Sequence, residues 1–247
     1  MNDPRDIRIY PDSTSLEDAV AKHFLLASNQ AVQQRERALV ALSGGTTPLG
    51  LFQLLGSSAY RSTVPWQQIH FFWVDERSVP PEEEESNYGQ FKRKVLDPLQ
   101  IPRQQVHQID GNLPAQEAAV KYEKVLHSFA EDGQQFPRFD WVLLGMGTDG
   151  HTASLFPGPL NPLEEQQAVI AVTAHYDNRP SDRVSLTPLI LNQARQIIFM
   201  VHGKQKARRL KEVLRGERNP LHLPAQRIRP QDGRLVWMVD EAAASQL

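Results

Sequence analysis

The chain alternates short apolar runs with longer stretches in which apolar residues recur every three or four positions. The short runs are typical of buried strands, and the longer spacing is typical of amphipathic helices. Strands are predicted at residues 38–42, 69–74, 106–109, 141–144, 169–172, 197–201 and 235–239. Because helical stretches separate most of these strands, the pattern predicts an α/β fold with a mostly parallel sheet flanked by helices on both faces. No linker, repeat or break in composition interrupts the alternation, so we expect one domain over residues 1–247.

The two ends of the chain carry helix signals. Before the strand predicted to begin at Ala38, the spacing predicts one amphipathic helix. Thr14 and Glu17 have the spacing of a capping box, which places the start of that helix at Thr14. At the other end, Asp240 is expected to start a short terminal helix.

The turn after the predicted strand 141–144 carries the strongest candidate chemistry. It contains Gly145, Gly147 and Gly150, and it places Asp149 and His151 beside small hydroxyl residues. A glycine turn at a strand end exposes backbone N–H groups, and ionisable side chains there can act on a ligand. The sequence therefore predicts an active site at this turn.

The same glycines match the G-x-G-x-x-G pattern of dinucleotide-binding folds, but two features oppose nicotinamide binding. Pro157 follows Gly150 by seven residues, too early for the long helix of such a unit. The apolar run at residues 168–173 lacks an acidic residue at its end to bind a ribose. A tight structural turn would explain the glycines, but it would not explain the positions of Asp149 and His151.

Three other strand ends carry polar groups. Residues 43–47 offer N–H groups and hydroxyls suited to an anion such as phosphate, although an ordinary helix cap has the same composition. Arg77 can bind phosphate through its planar fork, the alternative being a surface ion pair within residues 75–77. Lys204 lies where a strand gives way to a helix, whereas Lys206 is expected on the solvated side of that helix. Since the carboxyl ends of parallel strands share one sheet edge, we expect these groups to meet the glycine turn.

Composition excludes several classes of function. The 27 basic and 29 acidic residues give a net charge of −2, which favours neither nucleic acid nor an anionic membrane as a partner. The absence of cysteine excludes disulfides, thiol nucleophiles and thiolate metal sites. The N-terminus has no secretory signal pattern, and no apolar run approaches a membrane span. A cytoplasmic protein is therefore expected.

Six motifs follow one another along the chain: LSGGTTP (42–48), WVDER (73–77), SNYG (86–89), LGMGTDGHTASLFP (144–157), RVSLT (183–187) and GK (203–204). In this order they resemble the motifs of the 6-phosphogluconolactonase family within the glucosamine/galactosamine-6-phosphate isomerase superfamily. The long central motif is highly specific, and the resemblance covers nearly the whole chain. Thr46 stands where the family usually has serine, and it keeps the hydroxyl.

This resemblance implies a Rossmann-like fold similar to glucosamine-6-phosphate deaminases, ribose-5-phosphate isomerases and sugar-phosphate sensor domains. The deaminases resemble Asp-Glu-Tyr where this chain ends the motif with Arg77, and they carry a glutamate at the position of Phe156. Loss of that acid favours lactone hydrolysis, which needs fewer proton transfers than deamination. An isomerase or deaminase, or a non-catalytic sensor, is the alternative. The segment before Ala38 is too short for the DNA-binding module that a sensor would need.

The implied reaction is hydrolysis of 6-phospho-D-glucono-1,5-lactone in the oxidative pentose phosphate pathway. His151 would take a proton from water, since its ordinary pKa lies near neutrality, and Asp149 would orient it. N–H groups of the glycine turn would bind the oxyanion. The expected substrate- and phosphate-binding residues are Ser43, Gly44, Gly45, Thr46, Asp75, Arg77, Gly147, Arg183 and Lys204.

No cofactor and no metal are expected. Asp149 and His151 would give a metal only two ligands, with no evident third. The expected partner is a small sugar-phosphate lactone, and the protein is expected to be a monomer or a small homo-oligomer.

Overall fold

The computed structural model describes residues 6–174 and 180–247. Its strands are β1 (Asp6–Tyr10), β2 (Ala38–Leu42), β3 (Ile69–Trp73), β4 (Asp75–Arg77), β5 (Val106–His107), β6 (Trp141–Leu144), β7 (Val169–Thr173), β8 (Asp182–Leu186), β9 (Gln196–Val201) and β10 (Arg234–Asp240). Seven of them form one sheet in the order β1-β10-β9-β6-β2-β3-β5, with every neighbouring pair parallel. The predicted α/β fold with a mostly parallel sheet is confirmed.

Helices connect most of the strands. They are α1 (Ser13–Arg35), α2 (Leu49–Leu55), α3 (Ser58–Arg61), α4 (Asn87–Phe91), α5 (Asp97–Leu99), α6 (Ala115–His127), α7 (Pro188–Leu191), α8 (Ala207–Arg215) and α9 (Glu241–Ala244). A π-helical turn, Lys92–Leu96, joins α4 to α5. Within the two described ranges, no helix combines the length and apolar character needed to cross a membrane.

The start of the chain differs from the prediction in two ways. Residues before Ala38 form β1 as well as a helix, and β1 pairs in parallel with β10. An edge strand need not be apolar throughout, and Ile9 on β1 is 53% exposed, so no apolar run marked it. The helix cap is Asp12, whose carboxylate accepts from the Ser15 N–H at 2.7 Å, so the capping box predicted at Thr14 was wrong. At the other end, the predicted cap is confirmed, because the Asp240 carboxylate accepts from Ala243 N–H.

A second, three-stranded sheet has the order β4-β8-β7 and is antiparallel. The sequence pattern did not predict it, since β4 is only three charged or polar residues long. The two sheets are joined where the Leu186 N–H of β8 donates to the carbonyl of Val74, the residue between β3 and β4. Arg77 of β4 lies directly opposite Arg183 of β8. The smaller sheet thus brings two arginines to one place.

Strand register aligns the functional turns at one edge of the large sheet. β2 lies between β3 and β6, with Leu42 level with Trp73 and with Leu143. The Ser43 N–H donates to the Leu143 carbonyl at 3.1 Å, so the turn after β2 stays in contact with the end of β6. Strands β2 and β6 are buried throughout, as expected for central strands of a covered parallel sheet. The predicted gathering of strand ends therefore follows from the register.

Candidate active site

A cavity of about 620 Å³ opens where the carboxyl ends of β2, β3 and β6 meet β4 and β8. The predicted site residues that line it are Ser43, Gly44, Gly45, Thr46, Asp75, Arg77, Gly147, Asp149, His151 and Arg183. Asn87, His202, Gln205 and Lys206 also line it, and the sequence pattern did not assign them to the site. The separate turns are thus brought to one cavity.

His151 and Asp149 form a hydrogen-bonded pair in the turn after β6. His151 Nδ1 lies 2.6 Å from Asp149 Oδ1, and the same oxygen accepts from the His151 N–H at 3.1 Å. Because a carboxylate only accepts, the Nδ1 atom carries the proton and the Nε2 lone pair becomes the basic position of the ring. Both side chains are about one third exposed, 29% for His151 and 32% for Asp149, so the pair is open to the cavity.

Gly147 provides the space in which this pair lies. A Cβ atom added to Gly147 would be 2.1 Å from His151 Nδ1 and 2.5 Å from Asp149 Oδ1. Gly150 has a φ of 89°, a left-handed conformation that glycine adopts without strain. The glycines therefore have a structural role in placing the acid–base pair.

The turn after β6 uses several of its N–H groups internally. The Gly147 N–H donates to the His151 carbonyl at 2.8 Å, and the Gly150 N–H donates to the Gly147 carbonyl at 3.1 Å. The Thr152 hydroxyl donates to the Gly145 carbonyl at 2.8 Å. Together with the His151 N–H, these donors stabilise the turn.

The turn after β2 contributes a second glycine cradle. Gly45 has a φ of 87°, and its N–H donates to Gln90 Oε1 at 3.1 Å. A Cβ atom on Gly44 would be 2.3 Å from Asn87 Oδ1, so only glycine fits between this turn and α4. The Ser43 hydroxyl is buried and has no hydrogen-bond partner among the described residues. Hydroxyl and N–H groups of this kind suit an anionic ligand.

Arg77 and Arg183 supply the positive charge. Both are buried, with 7% and 4% exposure, and they are cross-strand neighbours of the same sign. The guanidinium of Arg183 lies 5.5 Å from the ring centre of Phe156, and that ring lies 4.9 Å from the His151 ring. Two buried guanidiniums side by side repel unless an anion lies between or beside them, so this face of the cavity favours an anion.

The alternative of a surface ion pair within residues 75–77 does not fit Asp75 and Glu76, because both side chains are buried. Asp75 Oδ2 accepts from the Ser154 hydroxyl at 2.7 Å, and Asn87 Nδ2 donates to the Asp75 carbonyl at 2.8 Å. Burial raises the pKa of Glu76 to about 7, although N–H groups of Tyr88, Asn87 and Arg77 oppose that rise. Glu76 thereby joins β4 to the start of α4, while Asp75 faces the cavity.

Lys204 is the predicted site residue that does not line the cavity. It is exposed, at the start of the 3-10 turn Lys204–Lys206 that precedes α8. Lys206, expected on the solvated side, is half-buried and lines the cavity. The turn begins at Gly203, whose φ of 94° redirects the chain after β9. Lys206 was expected on the solvated side because α-helical spacing was assumed. The segment is a 3-10 turn instead, and in it Lys206 lines the cavity while Lys204 is exposed.

Comparisons with known proteins agree with this fold. A family described as glucosamine-6-phosphate isomerases/6-phosphogluconolactonase matches residues 11–237. The chain is 36% identical over 234 residues to the 6-phosphogluconolactonase of Haemophilus influenzae, covering 95% of this chain and 96% of that protein. It is also 36% identical over 246 residues to the 6-phosphogluconolactonase of a Nostoc species, covering 98% of each.

Solved structures give the same class. The 6-phosphogluconolactonase of Thermotoga maritima superposes with a TM-score of 0.80 at 31% identity, covering 96% of this chain and 99% of that one. A monomeric glucosamine-6-phosphate deaminase has the same fold, with a TM-score of 0.82 at 18% identity, covering 98% and 100% of the two chains. Fold and cavity thus define a sugar-phosphate enzyme class. The chain belongs to the glucosamine-6-phosphate isomerase/6-phosphogluconolactonase family.

Proposed function

We propose that this chain hydrolyses 6-phospho-D-glucono-1,5-lactone to 6-phospho-D-gluconate, with His151 as the general base. The observation that carries the proposal is the His151–Asp149 pair facing the cavity that Arg77 and Arg183 also line. A histidine oriented by a carboxylate is suited to move one proton, and buried arginines are suited to bind a phosphate. Relatives about 36% identical over nearly the whole chain carry the name 6-phosphogluconolactonase, which supports the same assignment.

The reaction needs one proton to be taken and returned. His151 Nε2 accepts a proton from water while the water oxygen attacks the lactone carbonyl carbon. The tetrahedral intermediate then collapses, the bond from that carbon to the ring oxygen breaks, and the imidazolium returns the proton to the departing oxygen. Asp149 keeps Nδ1 protonated and stabilises the imidazolium that forms between the two steps.

Binding of the phosphate falls to the opposite face of the cavity. Arg77 and Arg183 provide two guanidiniums, and residues 43–46 provide the glycine turn and its hydroxyls. We assign the lysine of this site to Lys206 in place of Lys204, because Lys206 lines the cavity. The oxyanion is bound by donors other than the N–H groups of Gly147 and Gly150, which the turn itself uses.

Phe156 argues against the deaminase alternative. Its ring packs at 4.9 Å from the His151 ring, so an apolar group occupies the position where a further acid would be needed. Amine loss with isomerisation moves protons between carbons and the ring, and it requires more acid–base groups than hydrolysis does. The simpler reaction fits the side chains that are present.

We also propose that residues 1–247 form one domain, which a core continuous from Leu16 to Ala243 supports. We propose a cytoplasmic location for the protein, a sugar-phosphate lactone as its partner, and a monomer or small homo-oligomer as its state. The absence of cysteine is consistent with a reducing compartment.

The test is hydrolysis of freshly generated 6-phosphogluconolactone, followed as acid release at neutral pH with EDTA present. Wild-type protein should accelerate it well above the spontaneous rate, and His151→Ala should reduce turnover by roughly 10²–10⁴-fold. His222→Ala is the matched control, because His222 is exposed and lies outside the cavity lining. Equal turnover by wild type and His151→Ala would exclude His151 as the base. No acceleration by wild type, with ammonia released from glucosamine-6-phosphate, would establish the deaminase instead.

A further inference from the structure

Arg77 already has an acidic partner in the loop before α4. Its Nη1 atom donates to the backbone carbonyl of Glu85 and lies 3.2 Å from Glu85 Oε2. The two side chains differ in exposure, since Arg77 is 8% exposed and Glu85 is 42% exposed. The cation therefore lies in the cavity wall, whereas the carboxylate is in contact with solvent.

Glu85 leaves part of the guanidinium unsatisfied. Both contacts use Nη1, and the Nε atom of Arg77 is buried without a hydrogen-bond partner among the described residues. Arg77 Nη2 lies 4.0 Å from the position that a Cβ on Gly45 would take, so the fork adjoins the glycine turn.

The same loop occupies a second donor of the proposed phosphate site. Gln90 Oε1 accepts from the Gly45 N–H at 3.1 Å, and Gln90 Nε2 donates to the Glu84 carbonyl at 2.9 Å. The segment 84–90 therefore supplies acceptors to both Arg77 and Gly45. Arg77 and Gly45 are two neighbouring groups that a phosphate would contact in this corner of the cavity.

We propose that Glu85 is an internal competitor of the ligand's phosphate for Arg77, and that it sets the affinity of the site for phosphorylated substrate and product. This inference rests on the proposed function, since it assigns the arginine face to the phosphate. A phosphate beside Arg77 either displaces the Glu85 carboxylate into solvent or lies close to it and is repelled. In both cases Glu85 weakens phosphate binding, and it does so equally for substrate and product.

Weaker phosphate binding benefits the enzyme because product can then be exchanged for new substrate. The reaction leaves the phosphate unchanged, so contacts that bind the phosphate of the substrate tightly would bind the phosphate of the product equally tightly. Binding energy that is equal in substrate, transition state and product does not accelerate the chemical step. A carboxylate that returns to Arg77 when the phosphate leaves lowers this uniform binding and favours product release.

The experiment is calorimetric titration of wild-type protein with inorganic phosphate at low ionic strength, compared with Glu85→Gln and Glu84→Gln. Glu85→Gln should bind phosphate about 3- to 10-fold more tightly, as expected for removing one half-exposed charge contact. Glu84→Gln is the matched control, because it removes the same charge from the neighbouring exposed position while the contact to Arg77 stays. It should bind phosphate as wild type does.

Two results would overturn the inference. Unchanged affinity in Glu85→Gln would show that Glu85 does not compete, and weaker affinity would show that it orients Arg77 for the phosphate. The measurement needs no turnover, so it stays separate from the proposed activity. A wild-type protein without lactonase activity would refute the proposed function while tighter binding by Glu85→Gln still supported the competitor role.

Discussion

Arg227 and Glu164 form a buried ion pair next to the turn that carries His151. Arg227 Nη1 lies 3.0 Å from both carboxylate oxygens of Glu164, and the two side chains are 6% and 8% exposed. Arg227 also donates to the carbonyl of Phe156 at 3.4 Å, and the neighbouring Ala225 N–H donates to the carbonyl of Gly150 at 3.0 Å. The chain on either side of His151 is thus hydrogen-bonded, at Gly150 and at Phe156, to one short segment.

Breaking this pair on one side should destabilise the protein strongly. Arg227→Met leaves the Glu164 carboxylate buried without its partner, and we expect a loss of about 3–5 kcal/mol in the free energy of unfolding. The double variant Arg227→Met with Glu164→Leu removes both charges and should recover much of that loss. Urea denaturation of wild type, both single variants and the double variant measures the coupling. Additive losses in the double variant would contradict a dominant ion pair.

Gly147→Ala should impair catalysis, because the new Cβ would overlap the His151–Asp149 pair at 2.1 and 2.5 Å. A displacement of about 1 Å at a catalytic group can cost roughly 10²-fold, and we expect a loss of that order in kcat. Gly145→Ala is the matched control, since a Cβ there would meet no atom within 4 Å. Lactone hydrolysis by the two variants checks this, and equal losses would show that the turn tolerates no side chain for some other reason.

Asp149→Asn should lower kcat by about 10²–10⁴-fold with little change in KM. The new amide cannot keep His151 Nδ1 protonated or stabilise the imidazolium, whereas Arg77 and Arg183 are unchanged. Asp232→Asn is the control, because Asp232 is 73% exposed and pairs with Arg138 away from the cavity. A raised KM at unchanged kcat would instead assign Asp149 to substrate binding.

His23 should make stability depend on pH. Trp141 Nε1 donates to its Nδ1 at 3.1 Å, and burial, aided by the charges of Arg8 and Arg234, lowers the pKa of His23 to about 4 from 6.5. Because the pKa of His23 is lower in the folded protein, the unfolded chain binds the proton at a higher pH than the folded protein does. The contribution of neutral His23 to the free energy of unfolding is therefore complete above about pH 6.5. It is lost as the pH falls towards 4, by about 1–3 kcal/mol for a half-buried group.

The variant His23→Gln tests this, because an amide oxygen can still accept from Trp141 and does not titrate. As the pH falls from 6.5 to 4, the free energy of unfolding of wild type should decrease relative to that of the variant. His222→Gln, at an exposed position, should leave the pH profile of wild type unchanged. A constant difference across this range would remove His23 as a source of acid sensitivity.

The buried central strands could be predicted from sequence because burial on both faces leaves a continuous apolar run. β2 was predicted at Ala38–Leu42, the bounds that the structure gives. β1 has only one side paired and β4 has three polar residues, so neither carries an apolar pattern. Their positions depend on pairing with distant strands, which single-sequence periodicity does not report.

The Asp149–His151 pair could be predicted as a candidate site because the two residues are close in sequence. Asp149 and His151 are two residues apart and hydrogen-bond to each other, whereas the cavity positions of Asn87 and Lys206 depend on tertiary packing. Lys206 was missed because a single 3-10 turn changes which of two lysines faces inward. The ion pair between Arg77 and Glu85 was also missed, since it depends on how the loop before α4 packs against β4.

The proposed base and the two arginines belong to different sheets. His151 follows β6 of the large sheet, while Arg77 and Arg183 lie in β4 and β8 of the small one. The spacing between His151 and the two arginines therefore depends on how the two sheets are joined, for example by the hydrogen bond from the Leu186 N–H to the Val74 carbonyl.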